Sequence, residues 1–236
     1  LNGNQTVATS SNASVNLTVP TDGTINCYFK NKQDSANLTI KKVATGGSAT
    51  FGFTSNTVLG NFNLDGNTQT STVAIPVGSF NVTETALSGW SLDSASCTGT
   101  NATKNGSQLS FTSTKDADIV CTFTNSRDTA NVTVTKKTIG GDGEFSFETT
   151  VPTLGNFNLT TVGGTKSTPV AVVPTGTYDI KEVVPANWNL TDITCVGNNS
   201  GSLLGTKATI VVTKGANITC TFTNTRQTAS LTVIKK

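Results

Sequence analysis

Three residue types recur in the same order, and together they can make a covalent bond. Lys42, Glu84 and Asn125 return as Lys136, Glu182 and Asn224 at a spacing of about 95 residues. Each stands in a short segment of alternating polar and apolar residues. Period-2 alternation puts Lys42 on the face of Leu38 and Ile40, and Lys136 on the face of Val132 and Val134. Asn125 shares a face with Cys121 and Phe123, as Asn224 does with Cys220 and Phe222. Glu84 and Glu182 end the segments Val82-Thr83-Glu84 and Ile180-Lys181-Glu182 beside core-facing positions. An amine, an acid and a carboxamide are thus aimed at an apolar interior, where each alone is costly. In a dry pocket desolvation lowers a lysine pKa and raises a glutamate pKa, so a neutral amine coexists with a neutral acid. The amine can attack the asparagine carbonyl while the acid polarises that carbonyl and shuttles protons. Ammonia leaves and an amide crosslink remains. The competing reading is a hydrogen-bonded Lys, Glu and Asn cluster, or a lysine at a strand end that reaches solvent.

The segments that carry these residues are copies of one another. Ala36-Asn37-Leu38-Thr39-Ile40-Lys41-Lys42 returns as Ala130-Asn131-Val132-Thr133-Val134-Thr135-Lys136-Lys137, and again as Ala229-Ser230-Leu231-Thr232-Val233-Ile234-Lys235-Lys236. Gly78-Ser79-Phe80-Asn81-Val82-Thr83-Glu84 returns as Gly176-Thr177-Tyr178-Asp179-Ile180-Lys181-Glu182, and Cys121-Thr122-Phe123-Thr124-Asn125 as Cys220-Thr221-Phe222-Thr223-Asn224. β-branched residues, alternation and Gly/Asn punctuation predict short antiparallel strands throughout, and no stretch has a helical period. The fold class is all-β: tandem Ig-like β-sandwiches. The boundaries are a partial repeat at 1–33, complete repeats at 34–128 and 129–227, and an opening strand at 228–236. The links Ser126-Arg127-Asp128-Thr129 and Thr225-Arg226-Gln227-Thr228 are short enough to predict a semi-rigid, rod-like array. Strand addition of Thr228 to Lys236 to a neighbouring chain is the alternative use of the last segment.

Cysteine usage repeats as well. Cys97 and Cys121, and Cys195 and Cys220, each lie within one repeat, the pattern of an intramodule disulfide. Loops of that size stabilise by roughly 3 kcal/mol on the chain-entropy model. A metal site and buried free thiols are the competing readings; two thiols per repeat and no histidine make a poor metal set. The same spacing would put the partner of Cys27 at Asn2 or Gly3, so that partner is expected just before Leu1. Disulfides imply an oxidising compartment.

Composition narrows the function. The chain has no histidine, which removes Ser-His-Asp and Cys-His nucleophile systems, and no cofactor is expected. Charged residues are 13% of the total with a net charge of +2, and the basic ones are scattered, so no nucleic-acid footprint is visible. No apolar run approaches the roughly 20 residues of a membrane span. Many Asn-x-Ser/Thr triplets, Asn37-Leu38-Thr39 and Asn217-Ile218-Thr219 among them, are formal N-glycan acceptors, although such triplets arise often by chance in a chain this rich in Asn and Thr. Trp90 and Trp188 are expected in or near the core, and Gly140-Gly141-Asp142-Gly143-Glu144 reads as a hairpin turn.

The opening strand ending in Lys, the Gly-x-Tyr/Phe-x-Val/Ile-x-Glu strand, the Gly/Asn-Trp turn and the closing Thr-Phe-Thr-Asn resemble the Cna B-type (SpaA-like, prealbumin-like) repeats of bacterial surface adhesins and pilins. The resemblance implies a β-sandwich of seven or more strands. It also implies isopeptide bonds Lys42–Asn125 and Lys136–Asn224, with Glu84 and Glu182 as autocatalytic groups. Asn31 and Lys235 would serve the flanking repeats. Leu87-Ser88-Gly89-Trp90 and Pro185-Ala186-Asn187-Trp188 depart from the usual Pro-x-Gly-Tyr of that family. The expected role is a non-enzymatic structural repeat at the bacterial cell surface. The expected partners are neighbouring repeats, with lateral association into a filament. The alternative is a loop-based binder of a glycan or host protein.

Overall fold

The computed structural model describes Thr21, residues 31–197 and residues 202–235. Cys27 lies outside them. The chain divides into two compact units, Leu1–Gln33 and Asp34–Lys236, and both complete repeats lie in the second.

The first repeat contains β1 (Ser35–Thr45), β2 (Thr50–Ser55), β3 (Phe62–Asp65), β4 (Val73–Pro76), β5 (Gly78–Glu84), β6 (Trp90–Thr98), β7 (Ala102–Asn105), β8 (Gln108–Ser113) and β9 (Asp118–Arg127). Its two sheets run β4-β1-β9-β6 and β3-β2-β5-β8-β7. The second repeat contains β10 (Thr129–Ile139), β11 (Glu144–Thr149), β12 (Phe157–Thr160), β13 (Thr165–Ser167), β14 (Ala171–Pro174), β15 (Gly176–Val183), β16 (Trp188–Val196), β17 (Ser202–Leu204), β18 (Lys207–Val212) and β19 (Asn217–Arg226). Its sheets run β13-β10-β19-β16, with β14 also on β10, and β12-β11-β15-β18-β17. Every described element is a strand, and each repeat is a two-sheet sandwich.

Alternation builds the interior. Leu38, Ile40, Phe51, Phe53, Val82, Leu109, Cys121 and Phe123 are buried between the sheets of the first repeat. Val132, Val134, Phe145, Phe147, Ile180, Ile210, Cys220 and Phe222 do the same in the second. Each fully buried side chain of this size contributes roughly 1.5–3 kcal/mol. Trp90 and Trp188 pack edge-to-face on Phe51 and Phe145, with ring centroids 5.3 and 5.2 Å apart.

One pairing decides the site. The first and last strands of each repeat are parallel neighbours: β1 lies beside β9 with Lys42 opposite Phe123, and β10 lies beside β19 with Lys136 opposite Phe222. Among the described residues all the other strand pairs are antiparallel.

Two local expectations change. Gly140 to Gly143 joins β10 to β11, which belong to different sheets, so it is a corner rather than a hairpin turn. Asp142 caps the facing turn by accepting from the Gly163 and Gly164 amides at 3.0 and 2.8 Å. The link between the two repeats is also shorter than four residues: Ser126 and Arg127 finish β9, Thr129 starts β10, and only Asp128 lies between. Residues 228–235 form no ladder, and Leu231, Val233 and Ile234 stand exposed.

Candidate functional site

β1 and β9 carry Lys42 and Asn125 into the same interior face, two register positions apart, because Asn125 lies opposite Ala44. β5, in the facing sheet, brings Glu84 down onto them. Lys42 Nζ donates to Asn125 Oδ1 at 2.5 Å, and to the Phe123 and Val43 carbonyls at 3.2 and 3.0 Å. Asn125 Nδ2 donates to Glu84 Oε1 at 2.6 Å. Glu84 Oε2 accepts no hydrogen bond and lies 3.4 Å from the amine. The second repeat duplicates this arrangement. Lys136 Nζ donates to Asn224 Oδ1 at 2.6 Å, Asn224 Nδ2 donates to Glu182 Oε1 at 2.5 Å, and Glu182 Oε2 stands 3.4 Å from the amine. All six side chains are buried, both lysines at 0% exposure.

The surroundings are dry and aromatic. Lys42 Nζ lies 4.0 Å from the centroid of Phe51, and Lys136 Nζ lies 4.3 Å from that of Phe145. Trp90 and Trp188 cover those rings from the outside. Burial pulls the Lys42 amine below its ordinary range, with Glu84 opposing. It pulls Lys136 from 10.5 down to about 8, with Glu182 opposing. Burial likewise pushes the Glu182 carboxyl up, against the pull of Lys136. Each shift favours the neutral form, because a charge in this interior has lost its water.

The carboxyl occupies a different position from the one expected. Glu84 and Glu182 accept from the amide nitrogen, while the carbonyl oxygen faces the lysine. The acid therefore bridges the amine and the amide nitrogen and does not donate to the carbonyl.

Sequence reasoning missed the bulges that shape the site. In β6 the register slips between Leu92 and Ser94, and in β16 between Leu190 and Asp192, in each case opposite the asparagine. The slip lets Trp90 and Leu92 share the interior with Ala95 and Cys97. A signal was present, because strict alternation cannot turn Trp90 and Cys97 to one side across an odd separation. Phe51 and Phe145 were the other omission, and nothing in local spacing distinguishes them from ordinary core.

Among the described residues no group of His, Cys, Asp and Glu could hold a metal. Disulfides join Cys97 to Cys121 and Cys195 to Cys220, across adjacent antiparallel strands. Cys121 and Cys220 lie on the same strand faces as the two asparagines.

A family model described as a prealbumin-like fold domain matches residues 38–127 and again residues 132–226. The chain belongs to the prealbumin-like fold domain family. Each match coincides closely with one sandwich, so the prealbumin-like domain is the repeating unit. Among solved structures, the chain is similar to the major pilin protein (T-13) of Streptococcus pyogenes, with a TM-score of 0.49 and 13% identity over 82% of this chain and 97% of that one. It is also similar to a C-terminal fragment of the pilus adhesin SpaC from Lactobacillus rhamnosus GG, with a TM-score of 0.45 and 14% identity over 86% and 100% of the two chains. No curated protein matches it. No described helix is long and apolar enough to cross a membrane.

Proposed function

We propose that the chain is a load-bearing structural segment of an extracellular bacterial surface protein, the stalk of an adhesin or the body of a filament. In this reading each prealbumin-like domain is closed by an isopeptide bond, Lys42–Asn125 or Lys136–Asn224. The observation that carries it is the contact of a buried lysine amine with an asparagine amide, 2.5 and 2.6 Å, between the first and last strands of both repeats. The neutral amine attacks the asparagine Cγ. The glutamate takes a proton from the attacking nitrogen through Oε2 and gives one to the departing nitrogen through Oε1. One C–N bond forms, one breaks, and ammonia leaves. Fixed proximity in a water-free site supplies the acceleration for a reaction that happens once. The disulfides favour an oxidising, extracellular setting. Intact mass of the reduced chain is the test: the reading requires one ammonia missing per domain, and a mass equal to that of the sequence rejects it.

A second reading, ligand binding to a glycan or host protein, is favoured by one difference between the domains. The outer face of β5 and β8 in the first carries Asn56, Asn81 and Asn101 around an open groove of about 450 Å³. The corresponding face of the second is charged, with Lys207 Nζ 3.1 Å from Asp179 Oδ2. A stalk needs no such difference. A glycan array without a hit would remove the sugar-binding form of this reading.

A further inference from the structure

The joint between the two domains is a single residue bonded to both. Toward the first domain, the Asp128 amide donates to Gly89 O at 2.8 Å, and Asp128 Oδ1 accepts from Ser91 Oγ at 2.6 Å. Toward the second, the Asp128 carbonyl accepts from the Thr175 amide at 3.0 Å, and Oδ1 faces Lys214 Nζ at 3.1 Å. Lys214 Nζ also donates to Ser91 Oγ at 2.5 Å, which bridges the domains directly. The approach is close. Gly89 has φ 79°, and a Cβ there would stand 3.2 Å from Thr175 Oγ1.

Each domain therefore has a head and a tail. The head is the β4–β5 or β14–β15 turn together with the lysine of the turn before the last strand. The tail is the turn before β6 or β16 together with the linker residue. The head recurs: in the first domain the Val77 amide donates to Asp34 O at 3.2 Å, and Lys115 Nζ stands 2.9 Å from Asp34 Oδ1.

The tails differ. In the second domain the Gln227 amide still donates to Asn187 O at 2.8 Å, but Gln227 Nε2 turns back onto its own domain and donates to Asn189 Oδ1 at 2.7 Å. Gly89, Ser91 and Asp128 are replaced by Asn187, Asn189 and Gln227. The second tail offers no carboxylate to a lysine, and it places a side chain where Thr175 approaches Gly89.

We infer that these three tail positions decide which head a domain accepts: the Gly89-Ser91-Asp128 tail docks a head that carries a lysine beside a small turn residue, and the Asn187-Asn189-Gln227 tail rejects it. The contact is small and polar, with Asp128 only 14% exposed and Lys214 63% exposed. A pair of that kind adds little affinity and acts mainly by fixing orientation and excluding wrong neighbours. The domains are then not interchangeable beads, and their order is written at the joints. This inference stands independently of the crosslinks.

Residual dipolar couplings on the whole chain test it. In the wild type both domains should return one alignment tensor. Converting the first tail to the second (Gly89→Asn, Ser91→Asn and Asp128→Gln together) should split it into two. Asn187 already occupies this turn at φ 66°, so the first domain tolerates asparagine there. Lys214→Gln probes the same contact from the opposite, exposed side and should also split the tensor. Two tensors in the wild type overturn the inference, as does a single tensor surviving either change.

Discussion

Lys136 illustrates how burial prepares an amine to react. Its proton is lost at about 8 in the folded domain, against 10.5 in an unfolded chain. Only the neutral amine has a lone pair to attack with. Coupling in the freshly refolded second domain should therefore accelerate as pH rises toward 8, followed by ammonia release against time. A rate independent of pH across that range would argue against a titrating amine. Stability follows the same linkage. In an Asn224→Ala chain, which cannot couple, the unfolded state binds more protons than the folded state between pH 8 and 10.5. The second domain should gain stability through that window, measured by denaturant midpoint, while a wild type coupled as proposed, whose Lys136 would no longer titrate, should not. Glu182→Ala goes further: it removes the proton shuttle and leaves Lys136 without its buried partner. Loss of the ammonia deficit in that domain is expected by mass, and denaturant titration should show a destabilisation of about 3–5 kcal/mol from the stranded amine in addition to the loss of the bond itself. The three residue types were legible in the sequence because alternation turned a lysine, a glutamate and an asparagine inward without other partners. Which amide atom meets the acid was not legible, since it depends on side-chain torsions that no spacing encodes.

The strands explain why the proposed bond would lie where it does. β1 and β9 are parallel neighbours, so tension applied along the chain would enter at the start of β1 and leave at the end of β9. A Lys42–Asn125 bond would carry load directly from one to the other and bypass residues 43 to 124. The Cys97–Cys121 disulfide falls inside that bypassed stretch. Its place is therefore to hold β6 on β9 and keep Asn125 in register, without bearing load in the coupled domain. Single-molecule pulling separates the two roles. The wild-type domain should not extend, oxidised or reduced, whereas Lys42→Ala should unfold. Reduction of that variant should then release the 24-residue interval between the cysteines as roughly 80 Å more contour length. An unchanged length on reduction would mean that the disulfide encloses no hidden chain. The strands, the cysteine pairs and the repeat were readable from local pattern. The parallel pairing of first and last strands was not, because register between segments so far apart is set by the whole sandwich. The corner at Gly140 was misread for the same reason: a glycine-rich turn looks alike whether its strands pair or part.

At the scale of the whole molecule, two sandwiches joined through one residue share little surface, so their stabilities should nearly add. The proposed bonds close intervals of 83 and 88 residues. On the chain-entropy model, closing such an interval is worth about 4.5 kcal/mol. For domains of this size that corresponds to a shift in melting temperature on the order of 20–30 °C. Lys42→Met isolates the bond from the packing, because an unbranched apolar chain of similar volume replaces the amine beside Phe51. The first domain should then melt lower by about that amount while the second keeps its transition, as calorimetry and domain-resolved hydrogen exchange would report. A common shift of both transitions would mean that the joint couples the folds as well as their orientations. No shift in the first would mean that the cluster had been holding the sandwich by hydrogen bonds alone.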